Sequence, residues 1–547
     1  MRKALLVAVV VLAALLRFVG LGHHLRHGGP EFDERHNFVD PVLRMWDSGS
    51  PDPTVYNGYP GFFNYLAFLP VGLARRLGGE RGAYLAARGL AASAGTLSVL
   101  LAYLLGRRWH GGEWTALAGA ALLAVSRLEV RSAHYVTADV LVGTATLGAL
   151  LALVRWPGRK GELWAAAVAA LGTAVKYTGL VLAPALFVHF WLEGRLKRGL
   201  LPAALVAAAV FVVAAPYALL GLGTTGAGLA SGLDGYFGSQ HGHVGGSGLP
   251  ELIGTLWLSV GPIGLILAAL SPALPERRRL APAWTVVLAM VAVSAAANLV
   301  FARHLTSAAV TLPVLAGAGL EWVRRRGAPL AVAAAVAAVL PPAYLSAQLL
   351  ERYLRPMAVE QAAIWIESHV QSPALVASTV RLQLPPSRFE VRTLDAPAEV
   401  PADALLQYDA IVSAAGELAA LRPAAAFTSE EGPAFVFVPP PAAWRPVPPP
   451  QLRATSDAIE LRWPQPVRVA RVEVEADEWP QPLRLVDGSG EPVAAEGLRP
   501  TRPARQREGA PHGQSYALVP PRDLTVLRVE RTDGRSLVLS ALRVLTR

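Results

Sequence analysis

Long apolar runs separated by short basic clusters recur along the first two thirds of the chain, and this pattern restricts the fold more than any other feature. The runs fall at about 4–22, 84–105, 114–131, 137–154, 162–176, 178–193, 200–220, 250–271, 281–301, 305–322 and 328–348. Most approach the roughly 20 residues a helix needs to cross a bilayer. Hydrocarbon offers main-chain polar groups no water, so such runs must satisfy them internally as helices. The pattern predicts a polytopic α-helical membrane protein with about eleven transmembrane helices. The summary composition agrees: 547 residues, 53% hydrophobic and 16% charged, with mean hydropathy +0.38. A chain of water-soluble domains is more polar.

Lys and Arg set membrane orientation, and clusters of them face the cytoplasm. Here they are Arg2-Lys3, Arg107-Arg108, Arg155 to Lys160, Arg195 to Arg198, Arg277 to Arg279 and Arg324 to Arg326. Parity then places the N-terminus inside and the C-terminus outside. Gly61 to Leu77 is apolar enough to be another span, yet counting it would move every later basic cluster outside. With Pro70 within it and Arg75-Arg76 near its end, it reads as an interfacial or re-entrant helix. Met1-Arg2-Lys3 and the apolar run after it look like a signal peptide, but no small-residue cleavage site follows and Arg17 interrupts the run. A retained first helix is expected. The net charge of +10 is spread among inter-helix clusters rather than gathered on one face, which excludes nucleic acid as the expected partner. The absence of cysteine excludes disulfides and thiolate metal sites.

The same topology carries Asp33, Glu34 and His36, His134 with Asp139, Lys176, His241 with His243, and Arg303 with His304 to the outer side. Ionisable groups at membrane depth cost a few kcal/mol each, roughly 2.5–3.5 on insertion scales, so their gathering on one face asks for a purpose. Four stretches have a recognisable pattern. They are Phe32-Asp33-Glu34-Arg35-His36 after the first span, Ala133-His134 with Asp139, Lys176-Tyr177-Thr178-Gly179, and Arg303-His304-Leu305 with Pro313. Together they resemble glycosyltransferase family 39, a group with the GT-C fold that includes protein O-mannosyltransferases and lipid A aminoarabinose transferases. The resemblance covers roughly residues 1–350 and is strongest in the first loop. It implies a membrane enzyme that moves a sugar from a polyprenyl-phosphate carrier to a lipid, glycan or protein hydroxyl on the outer face of the membrane. One departure stands out. The family's His-Pro-Pro-Leu or Lys-Pro-Pro-Leu element is replaced by Tyr56-Asn57-Gly58-Tyr59-Pro60-Gly61, which lacks the basic residue, so donor phosphate must rely on other cations.

The chemistry of such a transfer assigns roles. A sugar 1-phosphate leaves with growing negative charge on its phosphate, while the attacking hydroxyl must lose a proton. Asp33 is the expected general base, with Glu34 orienting His36 or holding a metal and Asp139 placing the acceptor. Lys176 and Arg303 are the expected phosphate cations, since Arg grips phosphate through two N–H groups and Lys acts as a point charge. His36, Tyr59, His134 and His304 are expected to line the substrate site. The Gly-rich loop around His241 and His243 is expected to gate it. A divalent metal would draw on Glu34 and His243. Two other classes fit many helices with buried charges: a transporter or flippase for lipid-linked sugars, and a scaffold presenting outer domains.

After the spans the pattern changes. Residues 351–438 mix a helical segment with buried strand-like runs, and a small α/β periplasmic domain is expected. The Pro-rich stretch 439–451 reads as a stiff linker. Residues 452–547 alternate apolar and polar positions between turns, which predicts a β-sandwich loosely resembling discoidin-like carbohydrate-binding modules. Trp463, Trp479 and Tyr516 are either its core or sugar-stacking rings. High Ala, Arg, Gly and Pro usage points to a bacterial source, and so to the inner membrane.

Overall fold

The computed structural model describes residues 2–25, 30–31, 33–53, 59–221, 226, 230, 249–297, 302–370, 374–380, 382–385, 387–393, 408, 410–414, 424–429, 432–437, 445–446, 451–454, 458–476, 483–489, 493, 495–497, 512–531 and 541–546. The chain forms two compact units, one taking in Met1–Leu25 and Pro30–Arg355, the other Pro356–Arg547.

The first unit is helical. Its elements are α1 (Arg2–Phe18), a π-helix (Glu34–Val39), α2 (Asp40–Ser48), α3 (Phe62–His110), α4 (Glu113–Ala124), α5 (Arg127–Ala133), α6 (Ala138–Arg155) and α7 (Arg159–Val175). A 3-10 turn (Tyr177–Val181) leads to α8 (Leu182–Leu192), α9 (Leu196–Ala214) and α10 (Pro216–Leu220). Then come α11 (Leu249–Leu270), α12 (Arg277–Ala296), a 3-10 turn (Ala302–Leu305), α13 (Thr306–Arg324) and α14 (Ala328–Leu354). A helix lies over each of the eleven apolar segments. Among the described residues, 7 helical stretches are long and apolar enough to span a membrane. The difference is length, since α1 and α7 have 17 residues, α4 has 12, and Tyr177–Leu192 is also short.

Phe62–Leu77 and the span after it are two helical segments within α3, joined by a sharp kink where Gly78 and Gly79 leave helical geometry. Gly79 has φ +63°, a left-handed conformation that favours glycine. Beyond the bend, Gly82 packs against the carbonyl of Ala74, so the chain doubles back. The part before the bend exposes Leu66, Leu69, Leu73 and Leu77 on one stripe. Helix α2 covers its other side: Trp46 lies on Gly72 and under Arg76, and Asp47 pairs with Arg75 at 2.6 Å.

Helix α13 is the centre of the unit, buried along nearly its whole length. Small residues let its backbone meet its neighbours directly. A Cβ on Gly119 of α4 would sit 2.7 Å from the carbonyl of Pro313, and one on Gly317 would sit 2.7 Å from that of Thr115.

The second unit begins with α15 (Ala358–His369), packed on a mixed five-stranded sheet of order β2-β1-β3-β5-β4. Its strands are β1 (Ala374–Ser378), β2 (Phe389–Thr393), β3 (Ala410–Ser413), β4 (Ala425–Ser429) and β5 (Gly432–Phe437), with β2-β1-β3 parallel. The remaining strands are β6 (Arg445–Pro446), β7 (Gln451–Ala454), β8 (Ala458–Ala476), β9 (Leu483–Asp487), β10 (Ala495–Gly497), β11 (His512–Arg531) and β12 (Ala541–Thr546). They pair antiparallel in one seven-stranded sheet. The pairing of its two long members, β8 and β11, is broken by register shifts after Ala517 and Leu524. Such irregularities bend strands. Trp463 is 2% exposed within the core of this sheet, which removes it as a sugar-stacking surface. Trp479 lies outside the described residues.

Candidate functional site

The segment after α1 opens with Asp33 at the head of the π-helix. A π-turn widens the helix, and such turns concentrate at functional sites. The extra residue releases carbonyls of the turn, and Asn64 of α3 donates to two of them, Asn37 O and Phe38 O, each at 3.2 Å. Fully buried Asn37 in turn donates to Asp33 Oδ1 at 3.2 Å. The other Asp33 oxygen, Oδ2, lies 2.6 Å from the guanidinium of Arg303, which arrives 270 positions later in the chain from the turn before α13. Both side chains of this pair keep partial exposure, 34% for Arg303 and 23% for Asp33, so a reactant can reach them.

A second pair stands nearby and is closed. Lys176 Nζ donates to Asp139 Oδ1 at 2.8 Å, with side chains 8% and 5% exposed. Asp139 lies in the first turn of α6, where free N–H groups favour a carboxylate. Lys176 is the residue at which α7 ends in an extended conformation. The following 3-10 turn packs so tightly that a Cβ on Gly179 would lie 2.5 Å from the backbone of Gly172 and Thr173. Only glycine fits there.

Tyr59 joins the two pairs. The Lys176 ammonium lies 5.8 Å from the centre of its ring. Its hydroxyl is held well above its usual pKa, first by burial and then by the fields of Asp139 and Asp33, partly opposed by Arg303. Tyr59 thus stays a neutral phenol within electrostatic reach of both carboxylates. His304 lies within electrostatic reach of both Lys176 and Arg303. Asp33, Asp139, Tyr59, Lys176, Arg303 and His304, drawn from five separate parts of the chain, therefore belong to one site.

The other expected residues behave differently. Glu34, 0% exposed, takes Arg88 Nε at 2.8 Å and a second Arg88 nitrogen at 2.7 Å, together with the main-chain N–H of Val136 at 2.8 Å and of Glu31 at 3.0 Å. Its oxygens are spoken for, and it ties the first loop to α3 and to the entry of α6 instead of offering a ligand to metal. Among the described residues no group of three or more His, Asp or Glu gathers as a metal site. His134 also departs from its expected role: its two ring nitrogens each lie 2.8 Å from a carbonyl oxygen, of Val130 and Val19, so it fastens α5 to the end of α1. His36 sits partly exposed on the π-helix. His241 and His243 lie outside the described residues.

Three residues were missed in the sequence. Asn37 is four positions from Asp33 within the same motif, and Asn64 is a polar residue in an apolar helix. Arg88 carried the plainest signal, a lone charge inside a membrane span. Besides Glu34 it donates to the carbonyls of Leu21 at 2.7 Å and His23 at 2.8 Å.

Residues 71–219 match the family described as dolichyl-phosphate-mannose-protein mannosyltransferase. No curated protein matches the chain. Among solved structures, ArnT from Cupriavidus metallidurans in the apo state aligns with 80% of this chain and 98% of its own at 16% identity, with a TM-score of 0.50. The same protein bound to undecaprenyl phosphate aligns at 16% identity over 80% and 98%, with a TM-score of 0.48. An oligosaccharyltransferase from Archaeoglobus fulgidus in complex with zinc and sulfate aligns at 12% identity over 99% and 98%, with a TM-score of 0.49. At 16% identity the likeness to apo ArnT is one of fold. The GT-C resemblance found in the sequence is borne out by the matching family segment and by the fold shared with apo ArnT.

Proposed function

We propose that the protein is a membrane glycosyltransferase that moves a sugar from a polyprenyl-phosphate carrier to a hydroxyl acceptor. The observation that carries this reading is the pairing of two carboxylates with two cations, Asp33 with Arg303 and Asp139 with Lys176, around Tyr59 in one site. The matching family is named for a sugar held on a polyprenyl phosphate, which supports the same donor class.

The paired state suits a resting enzyme. An incoming lipid phosphate competes for the guanidinium of Arg303, and binding there frees Asp33 Oδ2 at the moment a base is needed. The acceptor oxygen then bonds to the anomeric carbon as the bond from that carbon to the phosphate oxygen breaks. The electron pair leaves on the phosphate, opposite Arg303 and Lys176, and the hydroxyl proton passes to Asp33. Asp139 keeps Lys176 in place, and Tyr59 donates to the sugar or to its leaving oxygen. The chain acts in the bacterial inner membrane with this site and the Pro356–Arg547 unit on the outer side. Its acceptor is a lipid, glycan or protein of the envelope.

Incubating the purified chain in lipid nanodiscs with radiolabelled undecaprenyl-phosphate sugars and an envelope extract tests this. Free undecaprenyl phosphate and a labelled acceptor are expected, and both should vanish in Asp33→Asn at equal protein level. Movement of intact carrier across a vesicle membrane, with no cleavage, would establish the flippase reading in its place.

A further inference from the structure

The ends of α6 and α7 that lie far from the carboxylates carry a different chemistry. Helix α7 starts at Arg159 and stops beside Lys176, so at 1.5 Å per residue about 25 Å separates its first turn from the site. At that end the junction of α6 with α7 holds Arg155, Arg159 and Lys160, and the junction of α8 with α9 holds Arg195, Lys197 and Arg198. Buried Glu162 ties the two junctions together. It pairs with Arg195 Nη1 at 2.9 Å, and that nitrogen lies so close to Gly158 that a Cβ there would meet it at 3.3 Å. Arg195 is thereby neutralised, while the other five cations make no ion pair among the described residues. The Arg324–Arg326 cluster differs, because Glu321 and Glu276 take Arg324 and Arg325. Glu193 is the exposed carboxylate nearest in the chain, and it faces Glu162 and His189.

Tryptophans frame these cations. The Arg155 guanidinium carbon and Lys160 Nζ each lie 5.7 Å from the centre of the Trp156 ring, within the range of a cation–π contact. Trp164, one turn beyond Lys160 on α7, has its ring 6.3 Å from that of Trp156 and is 53% exposed. Trp191 at the end of α8 is also exposed. Exposed Trp rings belong at the boundary of membrane and water, where the ring sits at headgroup depth.

We infer that this cluster seats the phosphodiester headgroup of an anionic phospholipid of the surrounding bilayer, with the phosphate at Arg155 and Lys160 and an acyl chain along Trp164. Charge complementarity sets the headgroup, since five unpaired cations need an anion and two of them converge on one ring. The exposed rings beside them call for an apolar body attached to that anion, which a bilayer lipid has. The seat is remote from the carboxylates and does not depend on the transfer reaction.

Arg155 and Lys160 are both exposed, so Arg155→Gln with Lys160→Gln removes the paired charges without touching a buried contact. The control, Arg277→Gln with Arg278→Gln, removes two exposed cations from the start of α12, where neither makes a ring contact among the described residues. Native mass spectrometry of the full chain, titrated with phosphatidylglycerol or with phosphatidylcholine of the same acyl length, reads the two affinities. The parent should prefer phosphatidylglycerol by about tenfold or more, the Arg155 and Lys160 variant should lose that preference, and the control should keep it. Equal loss in both variants would reduce the cluster to unspecific surface charge and overturn the inference. So would a preference that survives Arg155→Gln with Lys160→Gln. Displacement of bound phosphatidylglycerol by millimolar inorganic phosphate would give the cluster to a soluble anion and overturn it as well.

Discussion

Asp33 is gripped from two sides by groups of different kind, and the difference predicts how each will fail. Arg303 is a charged, partly exposed partner of Oδ2, whereas Asn37 is a neutral, buried donor to Oδ1. Removing the base itself should cost the most, and Asp33→Asn is expected to lower kcat by about 10²–10⁴, the range of general base catalysis. Arg303→Gln leaves the base in place but removes a phosphate contact. Initial rates should show a raised KM for the lipid donor with the acceptor KM little changed, and an unchanged donor KM would remove Arg303 from the phosphate site. Asn37→Ala removes one hydrogen bond, worth about 0.5–1.5 kcal/mol, so kcat should fall roughly 2–12-fold. Because Asn37 acts through Asp33 and touches no substrate, donor KM should stay constant. A change confined to KM would place Asn37 in the binding surface instead.

At the scale of elements, the first outer loop is held by a buried ion pair. Glu34 and Arg88, 54 residues apart, are each fully buried and exchange two hydrogen bonds, and Arg88 also takes two carbonyls from the turn after α1. Breaking a buried pair by removing one partner costs more than the pair contributes, because the survivor keeps an uncompensated charge. Arg88→Met should therefore lower unfolding free energy by about 3–5 kcal/mol, and Glu34→Leu added to it should restore part of the loss. Thermal unfolding in detergent reads both, and equal melting of Arg88→Met and the parent would show that the pair is not a structural tie. This is also where legibility in the sequence divides. Hydropathy located the long apolar helices of the first unit, because burial in hydrocarbon imposes a local, length-dependent pattern, but it did not show α2 or the π-helix. The bend at Gly78-Gly79 was visible as a break between Leu77 and the following span. The partner of Glu34 was not, since nothing local distinguishes a carboxylate that meets substrate from one that meets an arginine 54 positions on. Asp33, Lys176 and Arg303 were legible as unusual residues, while their pairing with Arg303 and Asp139 depended on where α6, α7 and α13 begin or end. The second sheet was read in its strands, while its pairing order was not, because alternation specifies which face is buried but not which strand lies alongside.

At the scale of the whole molecule, the turn after α1 gathers imidazoles in a largely buried place. His23 stacks on Tyr353 of α14 with ring centres 4.2 Å apart, and His134 lies 4.4 Å from the same ring. His24 and Tyr135 stand at 4.7 and 4.9 Å from His23. Two cations face this group, Arg88, 3.3 Å from His23 Nδ1, and Arg17, within electrostatic reach of His134. Burial first, then the charge of Arg88, holds His23 far below its ordinary pKa, and the same two causes lower His24 to about 4. Both are neutral in the fold at neutral pH. In the unfolded chain each titrates near 6.5, so below that pH the unfolded state binds more protons than the native one. Stability is therefore complete above about pH 6.5 and falls as the medium acidifies, until His24 itself protonates near 4. Each ring contributes at most about 1.4 kcal/mol per pH unit to this slope. Melting temperatures at pH 7 and pH 5 should show the acid loss in the parent chain. A His23→Gln, His24→Gln variant keeps side chains of similar size that never charge, and its profile should be flatter over the same interval. If parent and variant lose stability in parallel, the acid sensitivity does not come from His23 and His24.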